Sequence, residues 1–90
     1  MNSQHKVVEL RNRRGLHARA SAKFVTLASS QKAEIEVEKD GSSVCGTSIM
    51  GLMMLGAAFG DQVTIRTKGE GAEQALQVLV ELVEGKFGED

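Results

Sequence analysis

The stretch from Gly15 to Val25, GLHARASAKFV, contains the residues whose types and spacing could do chemistry. It has one histidine, placed between a glycine and the start of a helical hydrophobic pattern, so His17 is predicted to lie at or beside the N-cap of an exposed helix start. The first N–H groups of a helix lack internal partners, and the helix dipole there stabilises a phosphate. A neutral imidazole is also a competent nucleophile near pH 7, because the unperturbed pKa of histidine is about 6.5.

Two further features of this stretch suit a phosphate. Arg19 provides a permanent charge whose fork of donors can bind phosphate oxygens in bidentate fashion. The backbone N–H groups of Ala18 and Ala20 fall in the first helical turn and are predicted to contact the same group. Together these residues are typical of a phosphorylatable histidine. The alternative is that His17 is only a polar residue at a loop, which is the commoner role of such a histidine.

Two motif blocks of the chain resemble one known family. GLHARxxxxFV, followed some thirty residues later by TSIMGLMMLG at 47–56, is similar to the histidine-containing phosphocarrier HPr of the phosphoenolpyruvate-dependent phosphotransferase system. The resemblance implies that His17 accepts a phosphoryl group on Nδ1 from enzyme I and passes it to IIA-type acceptor proteins, without a cofactor. It also implies that a dedicated serine kinase/phosphatase modifies Ser48. Family members often have proline after the arginine, where this chain has Ala20.

Composition bounds the function further. Ninety residues are expected to form one domain, 1–90, and a monomer. Eleven basic and twelve acidic residues give a net charge of -1, and tryptophan and tyrosine are absent, so neither nucleic acid nor membrane is an expected partner. Cys45 is alone, and neither a secretory signal nor an apolar run of roughly 20 residues is present. These features lead us to expect a cytoplasmic protein, and the resemblance to HPr implies a carrier with no small-molecule turnover of its own.

Hydrophobic periodicity predicts seven elements. Strands are predicted at Lys6 to Leu10, at Ala33 to Glu38, at Ser42 to Gly46 and around Val63, Ile65 and Thr67; helices are predicted at Ala18 to Ser29, Ser48 to Leu55 and Gly71 to Glu84. Asp40-Gly41 is a two-residue hairpin signal, since a type I′ turn needs positive φ at both positions. Ser48 is a suitable N-cap, and Gly56 a suitable stop for the short helix.

The element order β-α-β-β-α-β-α predicts an α+β fold: a four-stranded antiparallel sheet with three helices on one face, an open-faced sandwich. Pattern alone also allows a ferredoxin-like arrangement. The resemblance to HPr implies the strand order 1-4-2-3.

The short helix is predicted to leave part of its apolar surface exposed, because eight residues cannot bury every side against one sheet. Leu52 and Leu55 are assigned to the core, whereas Ile49, Met50 and Met53 are predicted to form a docking surface. Methionine is flexible and polarizable, which suits a surface that must fit several partners. In HPr-like proteins the equivalent residues bind enzyme I and the IIA acceptors.

Two other functional classes remain open at this stage. One is a ferredoxin-like ligand-sensing or dimerising domain in which His17 only caps a helix. The other is a metal carrier that uses His5, His17 and Cys45, although these ligands lack compact spacing. A hydrolase is weaker still, because neither a carboxylate pair nor a Ser-His arrangement is evident.

Overall fold

The computed structural model describes residues 3–89 as a four-stranded antiparallel sheet covered by three helices. The predicted order β-α-β-β-α-β-α is confirmed, and a 3₁₀ turn at Lys86–Gly88 follows the last helix. The elements are β1 Ser3–Glu9, α1 Ala18–Ser29, β2 Glu34–Lys39, β3 Ser42–Cys45, α2 Ile49–Met54, β4 Gln62–Lys68 and α3 Ala72–Glu84.

The strands lie in the order β1-β4-β2-β3, as the resemblance to HPr implied. In the register of the sheet, Val8 lies opposite Val63, and Val37 lies opposite both Ile65 and Val44. Because side chains alternate along a strand, these pairings gather the apolar residues on one face. The three helices cover that face, and Glu34, Glu36 and Arg66 on the other face are exposed to solvent.

The core lies between this apolar face and the helices. Phe24 of α1, Leu52 of α2 and Leu79 of α3 are each 2% exposed or less. Leu76 of α3 is partly buried, and the inner side of this helix is otherwise buried at Ala72, Ala75, Leu79, Val80 and Val83. Leu55 is also partly buried against the core. The helix that begins next to His17 is therefore anchored in the core through Phe24.

Several predicted boundaries were wrong by one to three residues. β1 runs from Ser3 to Glu9 rather than from Lys6 to Leu10, because polar residues at its start also pair with β4, Ser3 opposite Lys68 and Gln4 opposite Thr67. Leu10 is fully buried but lies beyond the ladder. β2, β3 and α2 differ at one or both ends, and Ser48, Leu55 and Gly71 are caps rather than helical residues.

The two turn predictions are confirmed. Asp40 and Gly41 have φ of 51° and 84°, the positive values that a type I′ hairpin requires. Gly56 ends the short helix with φ of 65°. Within residues 3–89, no helix has the length and apolar character needed to cross a membrane.

Candidate phosphate-accepting site

His17 is the N-cap residue of α1, as the sequence predicts. Its backbone is extended, with φ of -74° and ψ of 178°, and its carbonyl accepts the N–H of Ser21 at 2.9 Å, which begins the helical hydrogen bonding. The first turn of α1 contains no acidic residue. The positive end of the helix dipole is therefore not neutralised by a carboxylate of the same turn.

The loop before His17 is held by a small set of hydrogen bonds. Gly15 has φ of 62°, and its N–H and carbonyl both bond to Asn12, with distances of 3.1 and 2.8 Å. The next residue, Leu16, donates its N–H to the carbonyl of Ala57 at 3.0 Å and accepts the hydroxyl of Ser21 at 3.2 Å. These contacts fix the path of the chain immediately before the histidine.

The two ring nitrogens of His17 have different partners. Nδ1 accepts the backbone N–H of Arg19 at 3.3 Å, and Nε2 lies 2.6 Å from the Oε2 atom of Glu89. Because an N–H points at Nδ1 and a carboxylate at Nε2, the neutral ring carries its proton on Nε2 and a lone pair on Nδ1. The predicted exposed position is wrong: the side chain of His17 is only 15% exposed, since Glu89 covers it.

Glu89 is the residue of the site that sequence reasoning missed. It lies 72 residues from His17, and its other oxygen accepts the Asn12 Nδ2–H at 3.1 Å. Burial raises the pKa of the Glu89 carboxyl, but the hydrogen bonds from Asn12 and His17 and the charges of His17 and Arg19 outweigh burial, so that this pKa lies below its ordinary value of 4.5. Glu89 is therefore a carboxylate at neutral pH.

Four cationic side chains lie around the site. A surface cleft of about 390 Å³ is lined by Gly88, Glu89 and the basic residues Arg13, Arg14, Arg19 and Lys23. Only Arg19 was predicted from the sequence, although the pair Arg13-Arg14 directly before Gly15 was a visible signal. Such a surplus of positive charge favours an anion in the cleft.

The N–H groups of Ala18 and Ala20 belong to the first turn of α1, as the sequence predicts, and Ala20 is fully buried. The N–H in contact with His17 is that of Arg19, between them. Arg19 thus contributes a backbone donor as well as its guanidinium.

A second surface lies on α2. Ser48 caps this helix by accepting the N–H of Gly51 at 3.0 Å. Leu52 is buried, whereas Ile49, Met50 and Met53 are 42%, 71% and 45% exposed, so their predicted exposure is confirmed. Their role in docking stays a prediction. Met54 and Phe59 are exposed as well and were not predicted.

The residues of the metal-carrier hypothesis do not come together. His5 lies on β1 and Cys45 on β3, with β4 and β2 between them in the sheet, while His17 starts α1. In the part of the chain that the structure describes, no group of three or more His, Cys, Asp or Glu side chains could hold a metal ion.

Comparison with known proteins identifies the family. A family model described as "PTS HPr component phosphorylation site" matches residues 4–85. The chain belongs to the HPr family. The phosphocarrier protein HPr of Neisseria meningitidis serogroup A is 49% identical over 91% of this chain and 92% of that protein. The phosphocarrier protein NPr of Shewanella violacea is 37% identical over 99% and 98%.

Solved HPr structures share this fold. The crystal structure of HPr-C-His from Thermoanaerobacter tengcongensis superposes with a TM-score of 0.93 at 44% identity, covering 97% of this chain and 98% of that one. The chain is thus an HPr-family phosphocarrier protein in both sequence and fold.

Proposed function

We propose that His17 accepts a phosphoryl group on Nδ1 from phosphorylated enzyme I and passes it to IIA-type acceptor proteins of the phosphoenolpyruvate-dependent phosphotransferase system, in the cytoplasm. The observation that carries this proposal is the orientation of the ring. Its Nδ1 lone pair lies at the start of α1, beside a cleft lined by four basic side chains, while Nε2 is bonded to Glu89.

The reaction we propose is an in-line displacement. The Nδ1 lone pair of His17 attacks the phosphorus of a phosphohistidine on enzyme I; a new N–P bond forms as the old one breaks, and the donor imidazole leaves with the bonding electron pair. The same displacement with this chain as the donor delivers the group to the acceptor. Phosphoryl transfer of this kind depends on positioning and electrostatic stabilisation.

Four groups of this chain are proposed to stabilise the transferring phosphoryl group. The guanidinium of Arg19, which lines the cleft, would stabilise the developing charge on the equatorial oxygens. The backbone N–H of Arg19, which bonds Nδ1, would move to a phosphate oxygen once the lone pair is used. The N–H groups of Ala18 and Ala20 provide further contacts. Alanine at position 20 keeps a donor that proline would lack.

We propose that Ile49, Met50 and Met53 form the docking surface for enzyme I and the IIA-type acceptors. These side chains are exposed on α2, and α2 packs beside α1, whose first residue follows His17. A partner that buries them therefore approaches the histidine from the same side. Desolvation of flexible methionines suits successive binding of unrelated partners.

We further propose that an HPr serine kinase/phosphatase acts on Ser48. Its hydroxyl already accepts the Gly51 N–H at the start of α2. A phosphate there adds a charge of about -1.5 to -2 at pH 7 beside the docking surface.

The experiment that tests the central proposal compares the two histidines of the chain. Incubation with phosphoenolpyruvate and enzyme I should give one acid-labile phosphate, which His17→Ala abolishes. His5→Ala is the matched control, since His5 lies on the open face of the sheet and should not affect labelling. Labelling of His17→Ala, or an unlabelled wild type that binds enzyme I, would contradict the proposal and favour the helix-capping alternative.

Sugar uptake and nitrogen-related regulation both use carriers of this family, and relatives of both names, HPr and NPr, match this chain. The rates at which an enzyme I of each branch charges His17 distinguish the two roles.

A further inference from the structure

The segment 85–89 has an unusual backbone. Lys86, Phe87 and Gly88 have φ of 61°, 55° and 74°, a run of three left-handed residues. Two of them bear side chains for which this conformation is unfavourable. Such strain persists only where the surroundings determine it, and it concentrates at functional sites.

Two contacts hold the 85–89 segment in place before Glu89 is considered. The ring of Phe87 is 1% exposed within the core, and the Phe87 carbonyl accepts the Lys23 ammonium at 2.8 Å. Lys23 belongs to α1, the helix that begins at His17. The segment therefore folds back onto the helix that bears the histidine, and this brings Glu89 to its start.

Asn12 fixes the orientation of the Glu89 carboxylate. Its buried amide nitrogen donates both to the Gly15 carbonyl and to Oε1 of Glu89, while its own Oδ1 is buried and has no hydrogen-bond partner within residues 3–89. Because the Gly15 carbonyl can only accept, the amide cannot be turned round without losing that bond. A buried oxygen left unpaired in this way indicates that the two donated bonds determine the arrangement.

We propose that Glu89 is a positioning residue for the phosphoryl acceptor: it holds the His17 ring with the proton on Nε2 and so keeps the lone pair on Nδ1. The proposal rests on the proposed function of His17 and names a residue that acts through it. The 2.6 Å contact between Nε2 and Oε2 is the observation that carries it.

The same contact serves the ring after transfer. Attack by Nδ1 with Nε2 still protonated gives a phosphorylated imidazolium, and no proton has to leave the ring. The Glu89 carboxylate then lies against the new positive charge, which it stabilises. A protonated imidazole is also the better leaving group when the phosphoryl group passes on, so the carrier remains ready to donate.

Glu89→Gln tests this role, because the Asn12 amide would still donate a hydrogen bond and so would determine which way the glutamine amide turns. The glutamine should turn its oxygen to Asn12 and its NH₂ to His17 Nε2, which favours the tautomer protonated on Nδ1. ¹⁵N chemical shifts of the unphosphorylated His17 ring should show this inversion, and Glu84→Gln, the same change on exposed α3 surface, should not. Phosphorylation by enzyme I should slow by about tenfold or more in Glu89→Gln, since Nδ1 then lacks its lone pair.

Two results would overturn the proposal. One is an unchanged His17 tautomer in Glu89→Gln. The other is an inverted tautomer with an unchanged rate of phosphorylation by enzyme I. Slow amide exchange at Phe87 is the control that the segment stays docked on α1. Glu89→Asp, which keeps a carboxylate, should retain the wild-type tautomer. The ring measurement needs no partner protein, so it decides on Glu89 separately from the question of whether His17 is labelled at all.

Discussion

A Cβ atom on Gly15 would clash with the Ala57 carbonyl oxygen and would lie only 2.7 Å from the Cα of Ala58. The next residue, Leu16, donates its N–H to that same carbonyl at 3.0 Å. The loop before His17 is therefore packed backbone against backbone on the loop that follows α2. This contact holds the start of α1 beside the end of α2, so the two motif blocks that resemble the HPr family lie next to each other.

Gly15→Ala should destabilise the protein and disturb the entry to α1. A left-handed alanine costs about 1–2 kcal/mol, and the contact with Ala57 adds to that. Gly56→Ala is the matched control, because Gly56 has almost the same φ, 65° against 62°, with nothing within 4 Å of the added Cβ. Urea unfolding of both variants measures the loss in free energy of unfolding, which in Gly56→Ala comes from backbone strain alone and in Gly15→Ala from strain and the steric clash. Equal losses in the two variants would show that the clash with the Ala57 loop is relieved without cost.

Arg19→Ala should leave the fold intact but slow phosphoryl transfer to and from His17. Loss of one donor to a developing oxyanion typically costs about ten- to a thousand-fold in rate. The transfer rate of Arg19→Lys should lie between those of the wild type and Arg19→Ala, since lysine keeps the positive charge but cannot bind two phosphate oxygens in bidentate fashion. Arg66→Ala, which removes a guanidinium paired with Glu38 on the open sheet face, is the control and should transfer normally. Stopped-flow transfer from phosphorylated enzyme I measures all three, and normal rates in Arg19→Ala would remove Arg19 from the mechanism.

Most of the fold was predictable because its signals are local. The alternation in β2, the Asp40-Gly41 turn and the spacing in α1 and α3 each depend on neighbours along the chain. The start of β1 was missed because its residues on the open face are polar, and only pairing with β4 makes them a strand.

Only those residues of the site that lie close to His17 in the sequence were predictable. His17 as the N-cap and Arg19 beside it follow from one stretch of the chain. Glu89 does not, because its position depends on left-handed Lys86 and Phe87 and on burial of the Phe87 ring. Gly85 and Gly88 indicate a turn, but they do not indicate that the turn brings Glu89 to His17.

The hydrogen bonds of Glu89 should be lost in acid. Burial raises the pKa of this carboxyl, but bonds from Asn12 and His17 outweigh it, and the folded pKa lies below the ordinary 4.5. The folded state thus binds fewer protons, so the stabilisation is present above that ordinary value and disappears as pH falls through the lower folded one. In Glu89→Gln the free energy of unfolding should lack this part of its fall in acid. A pH dependence of stability identical to that of the wild type below the ordinary carboxyl pKa would contradict the role of Glu89.

Met50→Lys should weaken binding to enzyme I while leaving the free energy of unfolding nearly unchanged. Met50 is 71% exposed, so a charge there is solvated in the free protein but must be desolvated in a complex. Val7→Lys is the matched control, since Val7 is 52% exposed on the opposite face of the sheet. Calorimetric titration with enzyme I measures both variants, and equal affinities would place the docking surface elsewhere.

Ser48→Asp should fold normally yet accept phosphate at His17 more slowly, mainly through a higher Kd for enzyme I. Aspartate is itself a good N-cap, so the bond from the Gly51 N–H can persist, and a negative charge is favourable at a helix start. The cost falls on docking, because Met50 and its neighbours must then be desolvated beside that charge. Ser43→Asp makes the same change on the exposed face of β3 and should bind normally. Thermal unfolding and titration with enzyme I separate the two effects; wild-type affinity in a folded Ser48→Asp protein would leave Ser48 as a cap only.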